Sequence, residues 1–450
     1  MKLNDFEQEV EGSKRKRWLV PVIVLGACVI IGALVLGFFI FRDKGTPATA
    51  GNVEDTKEEA AESGAASQKE SAVQDEAVQN EVSEQGATVD QESLTDEESE
   101  ADEEGEASLS KWKDEHTRVK GVYVTGPVAG SERLDEILSL LDQTELNSMV
   151  IDVKNDEGAV TFVAESGQAA ELGCCINYIQ DMPALMAKLK EHNVYTIARI
   201  VCFKDPKLAE ARPELALRDT TGALVTDGAG LSWVNPTKRE VWEYIVSVAL
   251  MCKDMGFDEI QYDYVRFPVV EEGTVIDFGV DVTPENKHEY IEEFLRFSAE
   301  SLHAHNMPVT VDLFGTVMGN PVDVERVGQD YTALASIADA VCPMIYPSHY
   351  SSGVFGLEVP DAKPYETILA ALGDSNEALS GIPEDERAVV RPWLQSFTAD
   401  WIEGYIPYGG NEIRAQIDAV YAAGYDEWIL WNAKNNYSAE GLEPDPEVNP

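Results

Sequence analysis

The chain has 450 residues and a formal net charge of -48, from 34 basic and 82 acidic side chains. So acidic a surface repels phosphate backbones and excludes a nucleic-acid partner. The six cysteines show no CxxC or His-rich spacing, which argues against structural zinc and against a disulfide framework.

Residues 1–17 form a polar tail that ends in the basic cluster Lys14, Arg15, Lys16 and Arg17. Residues 18–41 then run apolar without a single charge, enough at about 1.5 Å per residue to cross a hydrocarbon layer of about 30 Å. The run is longer than the apolar core of a signal peptide, and no small-residue cleavage site follows it. The expectation is a single-pass signal-anchor in the cell membrane. The basic cluster keeps the N-terminus cytoplasmic and sends the rest of the chain outside. Residues 42–115 are rich in Glu, Asp, Ala, Ser, Gln and Gly. They cannot bury enough apolar surface to offset the entropy of ordering, so this stretch reads as a disordered acidic linker extended by its own charge. The acid run from Asp96 to Glu106 lacks the spacing and turn glycine of a calcium loop, and no metal or cofactor is expected.

From residue 116 the pattern becomes periodic. Strands are expected at residues 119–125, 149–154 and 195–203, with a helix starting near Ser131 and another through Leu185 and Leu189. Asn235 and Pro236 read as the N-cap and first residue of a helix that runs to Met255. The fourth strand lies in Phe257-Asp-Glu-Ile-Gln-Tyr-Asp-Tyr-Val-Arg-Phe-Pro268, with a carboxylate, Asp263, at its end and Arg266 three residues on. Helix 285–305 leads to strand 309–314, which carries Asp312, and helix 331–337 to strand 340–346, followed by His349. Strand 389–397 carries Trp393 and Gln395, helix 412–423 follows, and strand 428–432 ends in Trp431 and Asn432. Eight strands separated by helices predict an α/β protein of the (β/α)8 TIM-barrel type over residues 116–436, with a C-terminal tail at 437–450. An open doubly wound sheet is disfavoured because no Gly-rich phosphate turn follows the first strand.

Strand ends are where barrel enzymes keep their chemistry. The polar residues found there are Asp152 and Lys154 on one face of the second strand, then Asp263, Asp312, Tyr346 with His349, Gln395 and Asn432. Beside them stand the rings of Tyr123, Trp393 and Trp431. Rings of this kind offer flat apolar faces to sugar C–H groups, while carboxylates and amides bind hydroxyls.

The stretch 257–268, together with Tyr123-Val-Thr125, Ile151-Asp-Val-Lys154 and Pro343-Met-Ile-Tyr346-Pro-Ser-His349, resembles the glycoside hydrolase family of membrane-anchored or secreted bacterial barrel proteins. More distantly the fourth strand is similar to that of chitinases, although the terminal catalytic Glu of that pattern falls on Val265. What the resemblance implies is a hydrolase acting on a cell-surface or extracellular polysaccharide or oligosaccharide. Such chemistry needs a nucleophile or base, assigned to Asp263, and an acid, assigned to Asp312. Tyr123, Asp152, Lys154, Arg266, Tyr346, His349, Trp393, Gln395, Trp431 and Asn432 are the expected sugar contacts. The alternative is a barrel that has lost its acid and only holds cell-wall glycan.

Overall fold

The computed structural model describes Trp112 and residues 116–444. The basic tail, the apolar run and all of the acidic linker but Trp112 lie outside the described residues, as does 445–450. Among the described residues no helix is long and apolar enough to cross a membrane.

Eight parallel strands close on themselves. They are β1 (Lys120–Val124), β2 (Ser148–Lys154), β3 (Tyr195–Val201), β4 (Glu259–Asp263), β5 (Val309–Phe314), β6 (Ala340–Ile345), β7 (Trp393–Gln395) and β8 (Trp428–Trp431). Each pairs with the next in sequence, and β8 pairs with β1. Closure leaves the barrel no open edge. The outer helices are α1 (Leu134–Leu141), α2 (Met182–Glu191), α3 (Arg239–Met255), α4 (Lys287–His303), α5 (Tyr331–Ala335), α6 (Pro364–Leu379) and α7 (Gly410–Ala422). The fold is therefore the (β/α)8 barrel that the periodicity predicts.

Successive strand side chains face opposite sides of the sheet. Those facing outward, such as Ile151, Ile200, Tyr262, Val311 and Leu394, join one continuous core with the apolar stripes of the helices. Each fully buried aliphatic side chain there contributes about 1.5–3 kcal/mol. Those facing inward include Val150, Ile197, Cys342 and Ile429, which fill the barrel's middle. Below them Arg391 lies between Glu259 and Glu427, donating to the first at 2.6 Å and to the second at 2.8 Å. The strand C-terminal ends, at the opposite mouth, carry the remaining polar residues.

One local expectation differs from the structure. The N-cap of α3 is Lys238, not Asn235. Asn235 instead accepts the backbone N–H of Thr237 at 3.1 Å, closing a side-chain turn just before the helix. Within the C-terminal tail, Glu443 and Glu145 exchange backbone and side-chain bonds that hold the segment against the barrel. Cys174, Cys175, Cys202, Cys252 and Cys342 form no disulfide.

Candidate active site

The mouth of the barrel is organised by a residue that the strand-end survey passes over, Arg199 on β3. Its register places it beside Asp152 of β2 on one side and Gln261 of β4 on the other. The planar guanidinium has donors in several directions, and all three of its nitrogens bond carboxylates. Nε and Nη2 donate to one oxygen of Asp263 at 2.9 and 2.5 Å, Nη1 donates to Asp152, and Nη2 reaches Asp156 at 3.1 Å. One buried cation thus gathers three carboxylates. Burying Asp152 or Asp263 without such a partner would cost several kcal/mol, whereas Asp156 stays partly exposed.

Asp263 receives a further bond to its second oxygen from the backbone N–H of Tyr264 at 2.6 Å. Tyr264 has φ 54, a left-handed conformation that ends β4 immediately after the acid. A residue other than glycine adopts it at a cost of about 1–3 kcal/mol, so the surroundings must hold it. Lys204 lies 4.6 Å from its ring centre and Trp233 5.9 Å. The turn aims the Asp263 carboxyl into the mouth rather than along the strand.

Asp312 is deeper, 1 % exposed against 8 % for Asp263. The indole N–H of Trp393 donates to it at 2.6 Å. Burial and the neighbouring charge of Asp263 push its carboxyl well above the usual range, a rise that the Trp393 bond only partly opposes. Asp152 is pushed up by burial too, against the pull of Arg199, and accepts the Tyr123 hydroxyl at 2.5 Å. Asp156 is different. Lys204 and Arg199 together override its desolvation and hold it down at about 2. The mouth therefore sets an anionic rim carboxylate above a carboxyl that favours its proton. Among the described residues no cluster of His, Cys, Asp and Glu could hold a metal ion.

Several expected sugar contacts are placed elsewhere. Lys154 does not stand beside Asp152: the register of β2 slips between the two, which breaks the alternation. Its ammonium is buried against Asp205 at 2.8 Å and donates to the Val201 carbonyl at 2.5 Å. Arg266 is also buried, lying 4.9 Å from the Trp233 ring and 4.8 Å from that of Phe314. Gln395 is spent on the scaffold, accepting from the Ser348 backbone at 3.0 Å and donating to Asp361 at 2.9 Å. Asn432 likewise ties loops, donating to the Ser396 carbonyl at 2.5 Å and accepting from the Lys434 amide at 2.9 Å. These amides satisfy loop backbone groups that would otherwise be orphaned.

The rings converge as expected but are not equally available. Tyr123 lies 6.3 Å from both Trp393 and Trp431, and Tyr346 lies 5.5 Å from Trp431. Tyr346 and Trp393 are only 4 % and 2 % exposed, so their faces are wall rather than platform, whereas Trp431 is half-buried. His349 sits at 5.3 Å from Tyr346, its Nδ1 at 3.0 Å from the Ser348 hydroxyl. Burial pushes its imidazole down to about 3, which keeps it neutral.

A family model described as "Putative glycosyl hydrolase domain" matches residues 121–437, from the first strand of the barrel past the last. The chain belongs to this family. Among solved structures, the glycoside hydrolase domain of PgaB (BpsB) from Bordetella bronchiseptica is 14 % identical, with a TM-score of 0.51 over 70 % of this chain and 94 % of that one. At that identity the likeness is one of fold. A hypothetical protein from Ruminiclostridium thermocellum is 32 % identical over 42 % of this chain and 96 % of its own, with a TM-score of 0.38. The glycoside hydrolase domain of PelA from Pseudomonas aeruginosa is 11 % identical, covering 72 % of this chain and 98 % of that one, with a TM-score of 0.41. No curated protein matches the sequence.

Proposed function

We propose that this family member is a glycoside hydrolase in which Asp312 is the acid and Asp263 the nucleophile or base, acting outside the cell on a polysaccharide. The observation that carries the assignment is the unequal setting of the two carboxyls. Asp312 is buried beside another acid, which favours its protonated form. Asp263 accepts two guanidinium N–H groups on one oxygen and a backbone N–H on the other, which fix its carboxyl at the mouth. In the reaction Asp312 gives its proton to the glycosidic oxygen as the bond to the anomeric carbon breaks. Asp263 either attacks that carbon, to be displaced by water, or takes a proton from the water that attacks it. The net change is addition of one water across the C–O bond.

The test is turnover by the full chain on a panel of polysaccharides, followed by its pH dependence. Because the acid must carry its proton, the rate should fall as pH rises through the raised value of Asp312. Asp312→Asn should lose about 10²-fold on substrates with poor leaving groups and less on activated ones, and should lack that alkaline limb. Trp393→Phe removes the N–H that stabilises the Asp312 carboxylate, so the limb should move to higher pH. An unmoved limb would assign it to another group.

One observation favours a second reading. Both oxygens of Asp263 are already engaged and Asp312 is almost closed to solvent, as suits a barrel that holds glycan without cutting it. Such a barrel predicts no turnover on any substrate and only modest changes in binding on either substitution.

The proposed location rests on the apolar run at 18–41 behind its basic cluster. Protease added to intact cells should release the barrel, cutting first in the acidic stretch 42–115. A barrel that resists until the cells are opened would reverse the orientation.

A further inference from the structure

Three half-buried rings run outward from the mouth along the β7–β8 side: Trp431 at the end of β8, then Phe397 and Trp401 in the segment after β7. Phe397 meets Trp431 at 5.3 Å and 81°, and Trp401 lies 6.0 Å beyond Phe397 with its ring within 13° of parallel. At the inner end Trp431 stacks over Tyr123, whose hydroxyl bonds Asp152. The track is therefore continuous with the carboxylate cluster. It is not core, since neither Phe397 nor Trp401 joins the buried clusters that fill the barrel and its helix layer. The indole N–H of Trp401 is buried with no hydrogen-bond partner among the described residues. A buried donor in that state is destabilising until an acceptor arrives. At the outer end, around Trp401, the flanking charges are acidic, whereas Lys434 follows Trp431 at the inner end. Asp400 and Glu403 are exposed beside Trp401, and no Lys or Arg occurs between Arg391 and Arg414.

We propose that Trp431, Phe397 and Trp401 form an extended subsite for a neutral polysaccharide chain leading into the barrel mouth. The rings would take the apolar faces of successive sugars and the Trp401 N–H a hydroxyl or ring oxygen. The acidic flank turns away anionic chains such as uronic-acid polymers. The inference rests on the glycan reading of the mouth but not on catalysis there. It also implies that the substrate is gripped over several residues rather than at a chain tip.

The experiment is affinity electrophoresis of the full chain through gels holding hydroxyethyl cellulose, glycol chitin, laminarin, dextran or polygalacturonate. Wild type should be retarded by at least one neutral polymer and not by polygalacturonate. Trp401→Ala and Phe397→Ala should each weaken that retardation by about tenfold or more, the ordinary cost of removing an aromatic anchor. Thermal melts would show whether the variants fold, and Trp401→Phe, which keeps the ring but not the N–H, should bind at an intermediate level. Unchanged retardation of folded Trp401→Ala, no retardation of wild type on any neutral polymer, or preference for polygalacturonate would each overturn the subsite. Retardation that depends on Trp401, in a protein that cleaves nothing, would leave the subsite standing and remove the hydrolase reading alone.

Discussion

Asp263→Asn is expected to lower polysaccharide turnover by about 10²–10⁴-fold, with the barrel still folded and still holding its glycan. The change keeps the shape of the side chain, and its one amide oxygen can still accept from Arg199, while the amide nitrogen takes the place of the oxygen that accepted the Tyr264 N–H. It removes the negative charge that a nucleophile or base supplies to an oxocarbenium-like transition state. Arg199 does not become an uncompensated buried cation, because Asp152 and Asp156 remain within its reach. That makes the variant a cleaner test than Arg199→Met, which would take the cation from both Asp152 and Asp263 at once. A second consequence concerns Asp312. Part of its upward shift comes from the charge of Asp263. With that charge gone its carboxyl should titrate lower, and the alkaline limb of whatever activity survives should move to lower pH. The measurement is kcat/KM across pH for wild type and variant, with a thermal melt of each. Wild-type turnover retained in folded Asp263→Asn would move the chemistry to another carboxylate, with Asp152 next, since it too is buried at the mouth and pushed upward.

The strands could be read from the sequence because burial on both faces leaves short apolar runs separated by helical periods. β4 and β5 declared their acids as charges set in runs of apolar and aromatic residues, Asp263 closing β4 and Asp312 lying inside Val309–Phe314. Arg199 carried the same signal. It is a lone cation inside Tyr-Thr-Ile-Ala-Arg-Ile-Val, and no strand buries a guanidinium without acids to meet it. Lys154 was misplaced because alternation assumes an unbroken ladder, and the irregularity between Asp152 and Lys154 is a backbone event that side-chain type does not announce. Gln395 and Asn432 stand at strand ends for the reason strand ends exist, namely to start loops. Their hydrogen bonds go to those loops. Helix α6 hides in its own sequence. Its buried positions follow helical spacing but include Thr367, Ala371 and Ser375, which carry little apolar weight. Phe397 and Trp401 lie beyond β7 in a segment without period, where only three dimensions show that they extend the line of Trp431.

Arg391→Met is expected to cost about 3–5 kcal/mol of unfolding free energy, a large share of the roughly 5–15 kcal/mol that holds a domain folded. The residue is fully buried at the base of the barrel, as are both of its carboxylate partners, Glu259 and Glu427. Glu259 is held further by the hydroxyls of Thr310 at 3.0 Å and Tyr195 at 3.1 Å, and Glu427 by His116 at 2.5 Å. Removing the cation leaves two carboxylates facing each other in the interior, and they must then take up protons or draw in water. Replacing all three together, as Glu259→Met, Arg391→Met and Glu427→Met, removes the charges along with the need to pair them and should recover most of the loss. The pH dependence separates electrostatics from packing. Burial raises the Glu427 carboxyl, but Arg391 and then His116 outweigh it, so its folded value lies below the usual 4.5. A depressed carboxyl contributes stability that is present above 4.5 and is lost as pH falls through the lower folded value. Wild type should therefore weaken on that acid limb. Arg391→Met should show a shallower or inverted limb, because burial then dominates Glu427 and raises its carboxyl. Urea unfolding at several pH values reads both effects. A cost near 1 kcal/mol with an unchanged acid limb would mean that water, not Arg391, already solvates the two acids.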